Sequence, residues 1–232
     1  MAAFTTSSLR VDEEYSTKTS DNLVLVQSRA ITALFTQVRD KNTDQTGYVH
    51  YADRLMRILA EEGLAHMNSV SEKTVHTPCG PYKGLETTRK ICAVSIMRSG
   101  DILLEAVRRV DPRVTVGKIL IQRDEADPEK RPKLFYSKLP PDVAECEVLL
   151  CDPMLATGGS AICAVSVLIK AGVKPENLVF LNTVCCPEGI SAFHAKFPQV
   201  KIVTLAIDDC LNDDKYIVPG LGDFGDRYFG TL

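Results

Sequence analysis

Hydrophobic and polar residues follow two rhythms along the chain, and each rhythm predicts one kind of element. Short, continuous apolar runs predict buried strands, at 91–96, 114–121, 148–151, 178–184 and 200–207. Apolar residues at helical spacing predict helices between them, at 101–109, 160–171 and 187–196. Strands that alternate with helices indicate a mostly parallel sheet flanked by helices on both faces, so the expected fold class is α/β.

The first 90 residues follow a different pattern. Ser28 is predicted to cap a helix that runs through Val38, and a second helical pattern is predicted to stop at Gly63. Turn-forming residues between His66 and Glu86 predict a hairpin or loop. The highly charged segment from Arg123 to Leu139 is predicted to include a mobile loop that closes over a site.

The clearest candidate chemistry follows the apolar run at 148–151. Asp152 comes directly after this run, then the small-residue loop Ala156–Ser160, then a helix. Loop amides and a helix N-terminus attract phosphate, and an acid at the carboxyl end of a strand lies where open α/β sheets bind ligands. The spacing fits neither the P-loop nor the dinucleotide fingerprint, which leaves a monophosphate beside a ribose. The alternative is an ordinary turn in which Ser160 caps the helix.

Three stretches carry a resemblance to a known family. Asp152 to Ser160 resembles the phosphoribosyl-pyrophosphate (PRPP) signature of type I phosphoribosyltransferases. Its exact residue order is similar to that of the uracil phosphoribosyltransferase branch. Ser95–Gly100 and Tyr216–Gly230 resemble the same branch. The resemblance covers residues 21–232, which we expect to form one domain, with residues 1–20 as a flexible N-terminal tail.

The resemblance implies both a fold and a reaction. The fold is a type I phosphoribosyltransferase core with a small hood built from the hairpin and the C-terminal loop. The reaction transfers the phosphoribosyl group of PRPP to uracil and gives UMP and pyrophosphate, in pyrimidine salvage. Mg²⁺ is expected with PRPP, held mainly by substrate oxygens and water rather than by a dedicated protein cage.

The resemblance also assigns roles at the PRPP site. Asp152, Arg123 and Asp223 form the expected catalytic set, in which Asp152 accepts hydrogen bonds from the ribose hydroxyls. Arg98 and Arg123 follow neighbouring strands, and their guanidinium groups match pyrophosphate oxygens. Many relatives have two acids at this strand end, whereas here Cys151 takes the first place. The expected PRPP-binding residues are Arg98, Arg123, Asp152, Pro153, Met154, Leu155, Ala156, Thr157, Gly158, Gly159, Ser160 and Asp223.

Uracil is expected to bind the loop from Tyr216 to Phe224. The resemblance implies backbone contacts from Ile217, Gly222 and Phe224, with Tyr216 against the ribose or base and Asp223 near the ribose and pyrophosphate. Backbone groups in a rigid loop can match the pyrimidine edge and reject the amino group of cytosine. The alternative is a glycine-rich loop that only caps the strands, with Asp223 in a turn.

Regulation is a further expectation from the same resemblance. Some members are GTP-activated tetramers, and Arg54, Arg89 and Lys90 lie near the positions that those members use for GTP. Exposed helix and loop charges are the alternative explanation for these three residues. A homodimer or homotetramer is expected by resemblance.

Composition narrows the alternatives. The chain of 232 residues has a net charge of −3, which offers little general attraction to nucleic acid or anionic lipid. It contains no apolar stretch of membrane-spanning length, no signal-peptide core and no Cys-x-x-Cys pair among its eight cysteines, so free thiols and a cytoplasmic setting are expected. The competing hypotheses are a non-catalytic ligand sensor or regulator on the same fold, a nucleic-acid-binding regulator, and a phosphoribosyltransferase for another base.

Overall fold

A nine-stranded sheet organises the fold in the computed structural model, which describes residues 17–20, 22–123 and 132–231. The described strands are β1 (Thr17–Ser20), β2 (Leu23–Leu25), β3 (Val70–Thr77), β4 (Gly80–Thr87), β5 (Ile91–Met97), β6 (Thr115–Arg123), β7 (Pro132–Lys138), β8 (Glu147–Cys151), β9 (Met154–Leu155), β10 (Leu178–Cys185), β11 (Lys201–Ile207), β12 (Cys210–Leu211) and β13 (Ile217–Val218). The described helices are α1 (Arg29–Arg39), α2 (Gln45–Ala65), α3 (Gly100–Val110), α4 (Gly159–Lys170), α5 (Pro187–Lys196) and α6 (Phe224–Phe229).

The sheet is mostly parallel, as predicted. Its strands lie in the order β1-β2-β11-β10-β8-β5-β6-β7, and short β9 pairs with the end of β10. The six strands from β2 to β6 in this order pair in parallel. Strands β1 and β7 pair antiparallel at the two edges. Strand β1 lies within the expected N-terminal tail, the rest of which lies outside the described residues.

The central strands are apolar throughout because helices cover both of their faces. Every residue of β8 and β10 is buried. Leu149 and Leu181 belong to the core shared with α1, α2 and α3. Leu150 and Phe180 belong to the opposite core, shared with α4 and α5. The predicted α/β layering is therefore confirmed.

The early helices are confirmed with one error in length. Ser28 caps α1, and its side chain accepts a hydrogen bond from the Ile31 amide. Helix α2 continues past the predicted stop at Gly63 and ends at Ala65. Gly63 lies inside the helix, where it packs against Leu181. None of the described helices is long and apolar enough to span a membrane.

The hairpin lies near the amino ends of the parallel strands, whereas the C-terminal loop lies at their carboxyl ends. The hairpin is therefore not part of the hood, contrary to expectation. The hairpin β3–β4 joins the end of α2 to the start of β5. At its base, the Ser69 side chain donates a hydrogen bond to Glu147, the first residue of β8. Among the described residues, the hood over the carboxyl ends of the strands is therefore formed by the C-terminal segment, including the β12–β13 pair.

The charged segment from Arg123 to Leu139 contains a strand that the sequence did not predict. Residues 132–138 form β7, which pairs with β6 along the edge of the sheet. All seven of its side chains are exposed, so the segment lacks the buried apolar pattern by which the other sheet strands were predicted. Residues 124–131 of the predicted loop lie outside the described residues, as does the side chain of Arg123.

Candidate active site

The candidate site lies where the direction of the chain connections changes. Strands β5 and β8 are neighbours in the sheet, but the helices that follow them, α3 and α4, cover opposite faces. Such a switch point leaves a crevice at the carboxyl ends of the strands, which is where open α/β sheets bind ligands.

A cavity of about 430 Å³ opens at this crevice, a size suited to a small molecule. One side comes from the segments after β5 and β8, and the other comes from the C-terminal hood and the start of α6. The residues that line the cavity are Ser99, Asp152, Met154, Ala156, Asp214, Lys215, Tyr216, Ile217, Gly222, Asp223, Phe224 and Gly225. All five residues expected at the uracil site are therefore brought together with Asp152.

Three acidic residues line this cavity, Asp152, Asp214 and Asp223, and the first and last of them interact electrostatically. Burial raises the pKa of Asp152 to about 7, the Met154 amide opposes the shift by donating a hydrogen bond, and the negative charge of Asp223 adds to it. Asp223 caps α6, and its Oδ1 accepts a hydrogen bond from the Asp226 amide at 2.8 Å. Two carboxylates in one partly enclosed site favour a bound cation or positive charge that develops on a substrate.

The expected phosphate loop divides into buried and accessible parts. Pro153 and Leu155 are buried, whereas Thr157 and Ser160 are exposed. Helix α4 begins at Gly159, with Gly158 as the N-cap residue, and Thr157 Oγ1 accepts a long hydrogen bond of 3.5 Å from the Gly159 amide. The alternative in which Ser160 caps this helix is therefore wrong. The first turn of α4 presents its amides where the sequence predicted a phosphate site.

The Arg98 guanidinium is paired with protein groups, whereas an arginine that binds pyrophosphate must offer its donors to the ligand. Its Nη2 donates to Asp226 Oδ1 at 2.6 Å and its Nη1 donates to Thr231 Oγ1 at 2.9 Å. The guanidinium also lies over the Phe229 ring, 5.2 Å from its centroid. Arg98 is thus paired with α6 and the residues after it, while the next residue, Ser99, lines the cavity. Arg123 ends β6 at the same edge of the sheet.

Cys151, which takes the place of a second acid, supplies no charge. Burial raises the pKa of its thiol, so the sulfur stays protonated at neutral pH. Its carbonyl lies against the start of α3, where a Cβ on Gly100 would come within 2.2 Å of the Cys151 oxygen. A glycine at this position therefore lets the loop after β5 close onto the end of β8.

Sequence reasoning missed the residues that hold the base loop, which we define as residues 216–225. Arg39 and Asp208 form an ion pair in which both guanidinium nitrogens contact the carboxylate at 2.7 Å. Arg227 donates to the carbonyl oxygens of Val38 and Leu221 at 2.6 and 2.8 Å. Asp208 directly follows a buried strand, which is the signal that singled out Asp152. The two arginines carry no comparable signal.

The three residues expected at a GTP site are not brought together in one chain. Arg54 lines a second cavity, of about 460 Å³, together with Arg57 and Arg109. Arg89 and Lys90 line a separate cavity of about 220 Å³. Lys90 is also paired with Asp142.

Comparisons with known proteins agree with the geometry. A family model described as uracil phosphoribosyltransferase matches residues 24–231. The chain is 51% identical to a uracil phosphoribosyltransferase of Saccharomyces cerevisiae, over 89% of this chain and 94% of the relative. It is 49% identical to a uracil phosphoribosyltransferase of Dictyostelium discoideum, over 91% of this chain and 97% of the relative.

Solved structures show the same architecture. The AQ2163 protein from Aquifex aeolicus matches with a TM-score of 0.75 and 30% identity, over 89% of this chain and 97% of that one. An adenine phosphoribosyl transferase from Trypanosoma brucei matches with a TM-score of 0.58, over 90% and 91% of the two chains. At 12% identity the second likeness shows the fold alone.

Proposed function

The chain belongs to the uracil phosphoribosyltransferase family, and on that premise we propose how it transfers the phosphoribosyl group of PRPP to uracil, giving UMP and pyrophosphate. The observation that carries the proposal is the single cavity in which Asp152, Asp223 and the base loop meet. A non-catalytic ligand sensor is not favoured, because the acids and the base loop that the chemistry needs are all present.

PRPP is proposed to bind along the β8 side of the cavity. The 5-phosphate lies at the first turn of α4, with Thr157 and Ser160 as exposed hydroxyl donors beside the loop amides. The ribose hydroxyls lie at Asp152. Pro153, Leu155 and Gly158 are buried, so we assign their contribution to the shape and backbone of the loop.

Pyrophosphate is proposed to bind between the ends of β5 and β6. In this proposal the loop around Arg98 and Ser99 binds one side of the pyrophosphate, and Arg123 binds the other side. Pyrophosphate carries enough negative charge to compete with Asp226 for the Arg98 guanidinium. Release of that ion pair would then accompany PRPP binding.

Uracil is proposed to lie under the hood against the base loop. Ile217, Gly222 and Phe224 offer backbone donors and acceptors to the pyrimidine edge, and Tyr216 closes one side. A base with an amino group in place of the matching carbonyl would leave polar groups unpaired, which is how a site of this kind rejects cytosine.

The two acids are proposed to act on charge rather than by covalent attack. The bond from ribose C1 to the pyrophosphate oxygen breaks, the bond from C1 to uracil N1 forms, and the N1 proton leaves to solvent. Positive charge develops on the ribose during this exchange, and the carboxylates of Asp152 and Asp223 stabilise it.

Mg²⁺ is part of the substrate complex in this proposal. The oxygen donors of Asp152 and Asp223 suit a hard cation that keeps several waters. The ion neutralises the charge of the leaving pyrophosphate, while the protein residues orient the ribose and the base.

Regulation and assembly extend the proposal. A GTP effector site at Arg54 is supported by the three arginines of the second cavity, which lie there together with three carboxylates, Asp53, Asp101 and Glu105. Self-association as a dimer or tetramer is supported by exposed apolar side chains on the β3–β4 hairpin, where Tyr82 and Leu85 are 61% and 68% exposed.

UMP formation from uracil, PRPP and Mg²⁺ tests the function, with cytosine, hypoxanthine and orotate as rival bases and with GTP present or absent. We expect UMP from uracil, no nucleotide product (CMP, IMP or OMP) from the three rival bases, and much less UMP from an Asp223→Asn variant. A folded chain that binds PRPP but forms no UMP would contradict the enzyme and favour the ligand sensor.

A further inference from the structure

We propose that Arg39 and Asp208 are positioning residues that set the affinity and selectivity for uracil by fixing the peptide groups of Gly220. The inference rests on the proposed function of the base loop. Neither residue lines the cavity, so both act through the loop rather than by contact with substrate.

The two residues hold Gly220 by both of its polar backbone groups. The Gly220 amide donates to Asp208 Oδ2 at 2.8 Å. The Gly220 carbonyl oxygen accepts a hydrogen bond from Arg39 Nη1 at 2.7 Å. Because the same Nη1 also bonds Asp208 Oδ2 at 2.7 Å, the three residues form one closed network. Any shift of the loop at Gly220 must break bonds to a charged group.

Burial makes this network strong and specific. The side chain of Asp208 is 5% exposed and that of Arg39 is 24% exposed. A carboxylate this buried is strongly destabilising when it loses its partner. The bidentate contact fixes both the distance and the angle between the guanidinium and the carboxylate. The network therefore holds one geometry instead of a range of geometries.

Gly220 connects this network to the loop residues that are proposed to contact the base. It adopts φ +59°, and a Cβ there would come within 2.0 Å of the Ile217 carbonyl oxygen. Ile217 and Gly222, on either side of it, both line the cavity. Hydrogen bonds to a flat base tolerate little displacement. A loop released at Gly220 would move the groups that read uracil while leaving Asp152 and α4 in place.

Arg39→Lys and Asp208→Asn test the inference in the full-length protein. Lysine keeps the charge but cannot bond both carboxylate oxygens and the Gly220 carbonyl in the same fork. Asparagine keeps the shape and removes the charge. The matched controls are Arg113→Lys and Asp111→Asn, which alter another bidentate pair, with both contacts at 2.9 Å, between α3 and β6. Steady-state KM values for uracil and PRPP are measured at saturating co-substrate, with thermal midpoints to confirm folding.

We expect each base-loop variant to raise the uracil KM about tenfold, the cost of one charge-assisted hydrogen bond. The PRPP KM should stay within about twofold, the rate with cytosine relative to uracil should rise, and the controls should match the wild type.

An unchanged uracil KM in folded variants, or an equal rise in both KM values, would overturn the inference. If Asp208→Asn does not fold, Arg39→Lys decides alone. Failure of the proposed function would look different, because the wild type itself would then form no UMP. In that case the inference would also be wrong.

Discussion

The phosphate loop (152–160) and the base loop face each other across one cavity, but they are held in different ways. The phosphate loop lies between a buried strand and a helix, and its backbone also pairs with strand β10 of the sheet. The base loop is held from behind by the side chains of Arg39, Asp208 and Arg227, and Arg39 is 169 residues away from Asp208. One half of the site is therefore fixed by backbone pairing within the sheet, and the other half depends on side-chain contacts between distant segments.

This difference suggests a division of roles. A group shared by many substrates, such as ribose 5-phosphate, can be bound by a loop that is part of the sheet framework. A feature that distinguishes one base from another needs a loop whose geometry is imposed by distant parts of the fold. Changes on the two sides of the cavity should therefore affect different substrates, which the following predictions examine from the largest expected effect to the smallest.

Asp152→Asn should damage the phosphate side most. The substitution keeps the shape of the side chain but removes a charge that stabilises the ribose in the transition state, so kcat/KM for PRPP should fall by about 10²–10³-fold. Initial rates of UMP formation measure the effect, with Asp111→Asn as a surface control. A loss of less than about threefold would remove Asp152 from the catalytic set.

Gly220→Ala should damage the base side without touching the cavity. A left-handed backbone and a clash 2.0 Å from the Ile217 carbonyl oxygen both oppose the new Cβ. We expect the uracil KM to rise by about 10²-fold, while the PRPP KM changes little. Gly84→Ala is the control, because a Cβ there would lie 3.2 Å from the ring of the exposed Tyr82 side chain and 3.8 Å from the Lys73 carbonyl oxygen, with no backbone clash. Equal losses for both substrates would mean that the two loops are not independent.

The pH dependence of kcat/KM for PRPP should report Asp152. Its pKa is raised to about 7, so the carboxyl is protonated below this pH and ionised above it. Because the ribose hydroxyls require the carboxylate, kcat/KM should rise with pH, by up to about tenfold per unit, and level off above about pH 7. In Asp223→Asn the inflection should move to lower pH, since the neighbouring negative charge is lost. An inflection that stays in place would assign it to another group.

Asp226→Asn should produce the smallest effect, and in the opposite direction. Asp226 pairs with Arg98 at 2.6 Å in a partly exposed site, where ion pairs are weak. Freeing Arg98 for pyrophosphate should lower the PRPP KM by about two- to fivefold. Thr231→Val, which removes the hydroxyl that accepts from Arg98 and donates to Asp226, is the milder comparison. A higher PRPP KM would instead show that Asp226 holds Arg98 in its productive position.

The same contrast explains how much the sequence could predict. The central strands were found because strands buried on both faces are apolar throughout, as at 148–151. The acid after that strand and the glycine-rich turn marked the phosphate side directly. Strand β7 was missed because all its side chains are exposed. The Arg39–Asp208 pair was missed because the contact between distant segments exists only once the fold has formed.

Hydrogen exchange measured by mass spectrometry, on the wild type and on Asp208→Asn, tests the central claim most directly. Exchange in residues 216–222 should become faster in the variant, while exchange in residues 152–160 stays unchanged. Equal acceleration in both loops, or none in the base loop, would contradict the claim that the base loop alone depends on the Arg39–Asp208 pair.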